Sequence, residues 1–568
     1  MSSTTRILVI VAALGFAVLW FANLQYRDLF QTDEGRYAEI PREMVATSDW
    51  VTPRLDGLLY FEKPALQYWT TAVAYKLFGE YNWTSRLWTA LTGFFGVLLA
   101  AWAGARLFDR RTAWCAALML GASVYYMILG HFNTLDMGVS VFMSLAVFAF
   151  LFAMRAADDL QESTSASGGT ASETARSIIR RRRGWMYVAW VAAALALLSK
   201  GLEAVVLPGL TFVVYTLVTR DWKRWRQLHL YGGIALFLVV AAPWFIVVSL
   251  RHPSFAYHFF IFEHFTRFLT PEAHRPGAWW YFIPILLLGL LPWWPQFLRA
   301  LVSLFRRRDM PPRLASFNHR AFLWLWCVIV FVFFSFSDSK LASYILPIFP
   351  ALALLVGFEL ARLRRADTLV SAILCVLLAV AILWLAPELQ QRGSDVPLAL
   401  YSALLPWLIG GCALLLALAL AGFFLAYFRR VAPAIACLGL AIFLATQVLT
   451  TGAQTLAPVY SGRSLARQIE PYNRPGIPFY SVDDYQQSLP FYLKRTLTLV
   501  AYQGELNFGI QHAPQQWVPT LAAFETRWHA DAAALAVMPK ATYAQLQQAG
   551  LPMQVIGTNP RLVAVKKP

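Results

Sequence analysis

The sequence predicts a polytopic all-α membrane protein with a small α/β domain at its C-terminal end. Three observations predict it. Hydrophobic residues make up 58% of the 568 and charged residues only 14%, with a mean hydropathy of +0.52; a soluble chain carries about 25% charged residues. Apolar runs of span length recur about thirteen times before residue 452. Arginines gather in alternate loops between those runs.

The runs lie near residues 7 to 24, 84 to 106, 112 to 129, 137 to 154, 185 to 199, 203 to 219, 231 to 250, 278 to 303, 319 to 337, 341 to 361, 368 to 386, 399 to 428 and 431 to 451. The first begins after Arg6 with no small-residue cleavage site behind it and reads as an uncleaved signal anchor. Arg106, Arg110 and Arg111, the run Arg180 to Arg183, Arg220, Lys223, Arg224 and Arg226, Arg306 to Arg308, Arg362, Arg364 and Arg365, and Arg429 with Arg430 fall in loops on the side of Arg6. The positive-inside rule makes that side cytoplasmic. The opposite, outer side then receives the long loop 25–83, the turns at 131–136, 199–203 and 337–340, the segment 251–277 and everything after 452.

The net charge of +17 is dispersed over membrane-facing loops, which suits anionic lipid headgroups and excludes a nucleic-acid partner. Residues 158–184 are rich in Ser, Thr, Gly and Ala and read as a linker. All five cysteines lie inside apolar runs and form no disulfide framework in the exposed domain. Residues 1–451 thus form the membrane domain and 452–568 a small domain. In the latter, strand-like IPFYSV, TLTLV, LAVMP and PRLVAV alternate with helix-like DDYQQSLPFYL and ATYAQLQQAG, without a nucleophile or nucleotide loop.

Chemistry concentrates in the first loop, at TDEGRYAEIPREM and YFEKP. Pro64 suits the first position of a helix running through PALQYWTTAVAYKLFG, which would set Lys63 at a helix N-terminus, a place for phosphate. Pairing with Glu62 or snorkelling is the plainer alternative for Lys63. Asp33 heads the helix TDEGRYAEI, where capping competes with catalysis; Asp136 enters the fourth span. Two aspartates brought to one membrane face by different helices form a functional pair. Lys200, Arg267, Lys340 and Tyr344 sit at outer span ends, as headgroup anchors or as further site cations. Glu62, His264 and His274 supply a carboxylate and two imidazoles, a ligand set for a structural zinc.

The acidic pair after the first span, the EKP element among aromatics, the second aspartate entering a later span and the segment SDSKLASYILPIFP resemble the lipid-carrier-dependent glycosyltransferases of the GT-C fold, above all the bacterial aminoarabinose transferases of lipid A. The DE and EKP elements are shared with protein O-mannosyltransferases, so a protein O-mannosyltransferase or another polyprenyl-phosphate sugar transferase is the alternative reading. The resemblance implies transfer of 4-amino-4-deoxy-L-arabinose from undecaprenyl phosphate to a lipid A phosphate, on the periplasmic side of the inner membrane. It makes Asp33 and Asp136 the important carboxylates and lines the donor phosphate site with Lys63, Arg36, Tyr37 and Tyr60. No cofactor is required, because cations and alignment suffice for a phosphate leaving group. A membrane transporter is the rival from another class; charges at span ends instead of the midplane, and no internal repeat, weigh against it.

Overall fold

The computed structural model describes residues 3–166, 173–266, 277–305, 317–392 and 396–568. Every apolar run named above is helical. Among the described residues, eight helices are long and apolar enough to cross a membrane, or up to ten spans if each of two bent pairs counts as one, fewer than the thirteen apolar runs. The first bent pair, Arg110–Gly121 with Val124–Gly130, turns by 66°. The second, Phe282–Gly289 with Trp294–Leu304, turns by 113°, where Pro292 and Pro295 interrupt the backbone ladder. The run at 203–219 forms an apolar helix below span length, Glu203–Thr219. The run read as an N-terminal anchor lies in helix Ser3–Phe21.

The loop after the first helix is largely structured. Helix Asp33–Thr47 leads into an antiparallel ribbon, β1 (Arg54–Leu55) and β2 (Leu58–Leu59), whose Asp56-Gly57 turn has positive φ at both residues. Helix Leu66–Phe78 follows. It begins two residues later than Pro64 predicts, with Ala65 at its cap, so Lys63 precedes the helix without standing at its first turn.

The C-terminal region folds around a six-stranded mixed sheet: β3 (Phe479–Val482), β4 (Thr498–Val500), β5 (Trp517–Val518), β6 (Leu535–Pro539), β7 (Gln554–Thr558) and β8 (Leu562–Lys566), in the order β5-β4-β3-β6-β8-β7. Helices pack on both faces, giving two separate apolar cores. Four strands coincide with the strand-like stretches of the sequence. The two others are short or exposed: β5 has two residues, and β7 presents Gln554, Val555 and Thr558 to solvent. Of DDYQQSLPFYL, only Leu489–Leu493 is helical, because Asp483, at positive φ, breaks the chain after β3.

The two parts of the chain meet over helix Asp33–Thr47. Ile40 and Met44 are fully buried in an aromatic core shared by Tyr37, Tyr60 and Tyr68 of the loop, Trp244 and Phe245 of helix Leu230–Arg251, and Tyr485 and Leu506 of the C-terminal region. Each such burial contributes about 2 kcal/mol. Gly35 lies so close to the backbone of Gln487 and Ser488 that a Cβ there would stand 2.5 Å from the Ser488 nitrogen.

Candidate active site

Neighbouring carboxylates at the start of helix Asp33–Thr47 have different surroundings. Glu34 is fully buried and saturated. Its oxygens accept from Arg27 Nη1 at 2.7 Å and Nη2 at 3.0 Å, from Arg86 Nε at 2.7 Å and Nη2 at 3.0 Å, and from the backbone amides of Phe30 at 3.0 Å and Asn133 at 3.1 Å. Burial pushes its carboxyl up, but Arg27 and Arg86 outweigh burial and hold it down at about 2. This hub ties the loop to helix Asn82–Leu107, which carries Arg86, and to the turn before Asp136.

Asp33 is partly exposed instead, with one-third of its side chain accessible. Thr32 occupies the cap position of the helix and Asp33 makes no capping bond; it pairs with Arg36 one turn on. Capping therefore does not account for Asp33. Arg36 is buried, with its guanidinium 5.1 Å from the Tyr37 ring and 5.8 Å from the Tyr60 ring. Its Nε and the hydroxyls of Tyr60 and Tyr68 are buried without a hydrogen-bond partner among the described residues, an arrangement rare in protein interiors and suited to a polar ligand.

The second aspartate comes from elsewhere in the fold. Asp136 opens helix Asp136–Ala166 and forms an ion pair with Lys200, just after helix Glu173–Ser199. The Lys200 ammonium also lies 4.6 Å from the centre of the Tyr344 ring. Burial lowers its pKa, and Asp136, Glu203 and Tyr344 together more than reverse the effect, so the ammonium is held protonated. Burial pushes the Tyr37 phenol up; Arg36 opposes this, and the carboxylates of Asp33, Glu62 and Asp136 add to it. Tyr37 thus lies within electrostatic reach of all three acids.

Lys63 finds its partner neither in Glu62 nor in a helix end. Its ammonium lies 3.9 Å from Glu263, which also approaches His258 at 4.0 Å, on the wide-turned helix Tyr257–Thr266. Lys340 is buried and donates to the Ser337 carbonyl of its own turn. Arg267 and His274 lie outside the described residues, as does the side chain of His264, whose backbone belongs to helix Tyr257–Thr266. Among the described residues, no group of three His, Cys, Asp or Glu side chains is arranged to hold a metal ion.

Several residues of the site escape sequence reasoning. Glu505, from the C-terminal region, reaches to 3.9 Å from Arg36 Nη1 and is itself fixed by Gln487 at 2.9 Å and Tyr502 at 3.1 Å. Nothing in its local sequence signals this, since the contact spans most of the chain. Glu263 and Arg86 had signals: a lone acid in an aromatic segment, and a cation in the first turns of an apolar span.

The matches to known proteins follow the same division. Residues 5–262 match the dolichyl-phosphate-mannose-protein mannosyltransferase family, and residues 465–567 match the aminoarabinose transferase C-terminal domain. Superposed on the crystal structure of ArnT from Cupriavidus metallidurans bound to undecaprenyl phosphate, the chain gives a TM-score of 0.89 at 36% identity, covering 100% of this chain and 98% of the other. The chain belongs to the ArnT family. Similar sequences include the undecaprenyl phosphate-alpha-4-amino-4-deoxy-L-arabinose arabinosyl transferases of Aeromonas hydrophila, 32% identical over 60% of this chain, and Erwinia tasmaniensis, 31% identical over 66%. The matched stretches span 58% and 65% of those relatives' own lengths. Against the archaeal oligosaccharyltransferase AglB from Archaeoglobus fulgidus, the ArnT-family chain keeps a TM-score of 0.51 at 12% identity over 94% of its length and 69% of that chain, a likeness of fold alone.

Proposed function

We propose that this chain transfers 4-amino-4-deoxy-L-arabinose from undecaprenyl phosphate to a phosphate of lipid A, on the periplasmic side of a bacterial inner membrane. The observation that supports the reading is the buried Arg36 guanidinium, paired with Asp33 and set among Tyr37, Tyr60 and Tyr68, with polar atoms left for a ligand. In the transfer, a lipid A phosphate oxygen attacks the anomeric carbon of the sugar. The bond from that carbon to the carrier phosphate breaks, and the carrier phosphate keeps the electron pair. Arg36, Lys63 and Lys200 are the cations for the departing phosphate, whose growing charge they stabilise. An acceptor phosphate is already anionic, so Asp33 serves to orient it or to grip the sugar amine; a general base is needed only for a hydroxyl acceptor. An amine-bearing sugar on lipid A lowers the negative charge of the surface, which weakens binding of polymyxin and other cationic peptides.

The reading requires no cofactor. A zinc held by Glu62, His264 and His274 would be structural, fastening the first loop to the 251–277 segment. Mass spectrometry of lipid A from cells with and without the protein tests the assignment. A phosphate-linked pentosamine that depends on the protein supports it, and an unchanged lipid A removes it.

A further inference from the structure

A charged cavity lies at the other end of the helices that build the site. Nineteen residues separate Asp136 from Arg155, and nineteen separate Arg181 from Lys200. At 1.5 Å per residue, each helix carries its arginine about 28 Å from the ion pair at its far end, which is the thickness of a bilayer's hydrocarbon core, about 30 Å. Helix Asn82–Leu107 does the same, with Arg86 in the Glu34 hub at one end and Arg106 at the other. The three far ends enclose a cavity of about 260 Å³ lined by Arg106, Arg155, Arg181, Asp159, Phe152 and Trp185, among others.

The chemistry of the lining is specific. Three guanidinium groups face one carboxylate among these residues, and Asp159 is already matched to Arg181 at 2.7 Å. A surplus of two positive charges remains. Phe152, Trp185 and Trp102 interlock beneath, with ring centres 4.8 to 5.2 Å apart, and Arg106 lies 5.9 Å from the Trp102 ring. Arg155 is held in place by donating to the Arg106 carbonyl, at the end of the helix. A free inorganic anion has no use for an aromatic floor. A phospholipid has both parts, a phosphate for the guanidinium groups and a glycerol and acyl stem for the rings.

We infer that this cavity is a binding site for the headgroup of an anionic phospholipid, at the membrane face opposite the candidate active site. The bound lipid would brace the ends of the three helices whose other ends hold Arg86, Asp136 and Lys200.

Native mass spectrometry of the full chain, loaded with cardiolipin, phosphatidylglycerol or phosphatidylcholine, tests the inference. The wild type is expected to retain the anionic lipids preferentially. The R106Q/R155Q variant should lose that retention by about tenfold or more, from the loss of two cations near a membrane surface. The R429Q/R430Q variant removes equal charge from another arginine-rich loop and should leave retention unchanged. Full retention in R106Q/R155Q, an equal loss in R429Q/R430Q, or displacement of the lipid by millimolar inorganic phosphate overturns the proposal. Should R106Q/R155Q fail to insert, Asp159→Asn decides: it raises the surplus charge, so tighter retention supports the site, and unchanged or weaker retention overturns it.

Discussion

Asp33 and Glu34 are adjacent on one helix, yet they belong to different regions of the molecule. Glu34 faces inward, where two arginines and two backbone amides saturate it. Asp33 pairs with one arginine and leaves a third of its side chain exposed. A carboxylate with every lone pair engaged holds a structure together and is unavailable to a substrate. A partly exposed one, backed by buried polar atoms that lack partners, is placed for a ligand. Burial and charge alone do not distinguish a structural acid from a functional one; spare hydrogen-bonding capacity does.

That contrast can be broken most forcefully at Glu34. Glu34→Ala leaves the guanidinium groups of Arg27 and Arg86 buried together without their counter-ion, and is expected to destabilise the protein by about 3–5 kcal/mol, read as thermal unfolding in detergent. Because its folded pKa is depressed to about 2, the hub's contribution is complete above the ordinary carboxylate value of 4.5 and fades as pH falls toward 2. A marginal loss in the variant would remove Glu34 from its structural role.

Asp33→Asn and Asp136→Asn probe the other side of the comparison. Each is expected to reduce transfer on the order of 100-fold or more while the unfolding temperature stays near wild type. Transfer near wild type in either variant takes that residue out of the catalytic set. A smaller, selective effect is expected at Lys63. Lys63→Ala should weaken use of the polyprenyl-phosphate donor by about tenfold or more, against little change for Lys76→Ala, whose ammonium sits 5.6 Å from the Trp50 ring. Equal donor use by the two variants counts against Lys63.

The smallest effect concerns a third set of acids further along the same helix. Glu43 accepts from the amides of Asp56 at 2.6 Å and Gly57 at 2.9 Å, and Asp56 accepts from Leu497 of the C-terminal region at 2.6 Å. Burial pushes both carboxyls well above the ordinary range, and Glu39 adds to the rise. The folded state therefore keeps protons that the unfolded chain has lost, so this cluster's contribution to stability falls as pH rises above the ordinary carboxylate range. Asp56→Asn keeps the acceptor for Leu497, removes the charge and tolerates the left-handed backbone. It should gain a few degrees over wild type in alkaline buffer and nothing in mild acid; an identical pH profile for the two proteins would show that the cluster does not titrate.

The apolar helices were legible in the sequence because length and hydropathy are local properties, though not the number of spans, and so was the loop that holds Asp33, Arg36 and Lys63. Bends were not: GLLPWWP marks an interruption but not an angle of 113°. Partners were less legible than positions. Lys63 is next to Glu62 in sequence, while the structure sets it against Glu263, and Lys340 turns back to its own loop. Asp136, Lys200 and Tyr344 were each visible at a span end, but their assembly depends on packing between helices that hydropathy does not encode.

Gly35 has a wider consequence. The helix that presents Asp33 and Arg36 touches the turn at Gln487 and Ser488 with no room for even a methyl group between them, and Glu505 reaches Arg36 from the same side. The extramembrane sheet region is therefore not an interchangeable module. A chimera that joins this membrane body to a relative's C-terminal region must reproduce the 487–488 turn and the acid at 505, or the graft will misplace the very helix on which transfer is proposed to depend.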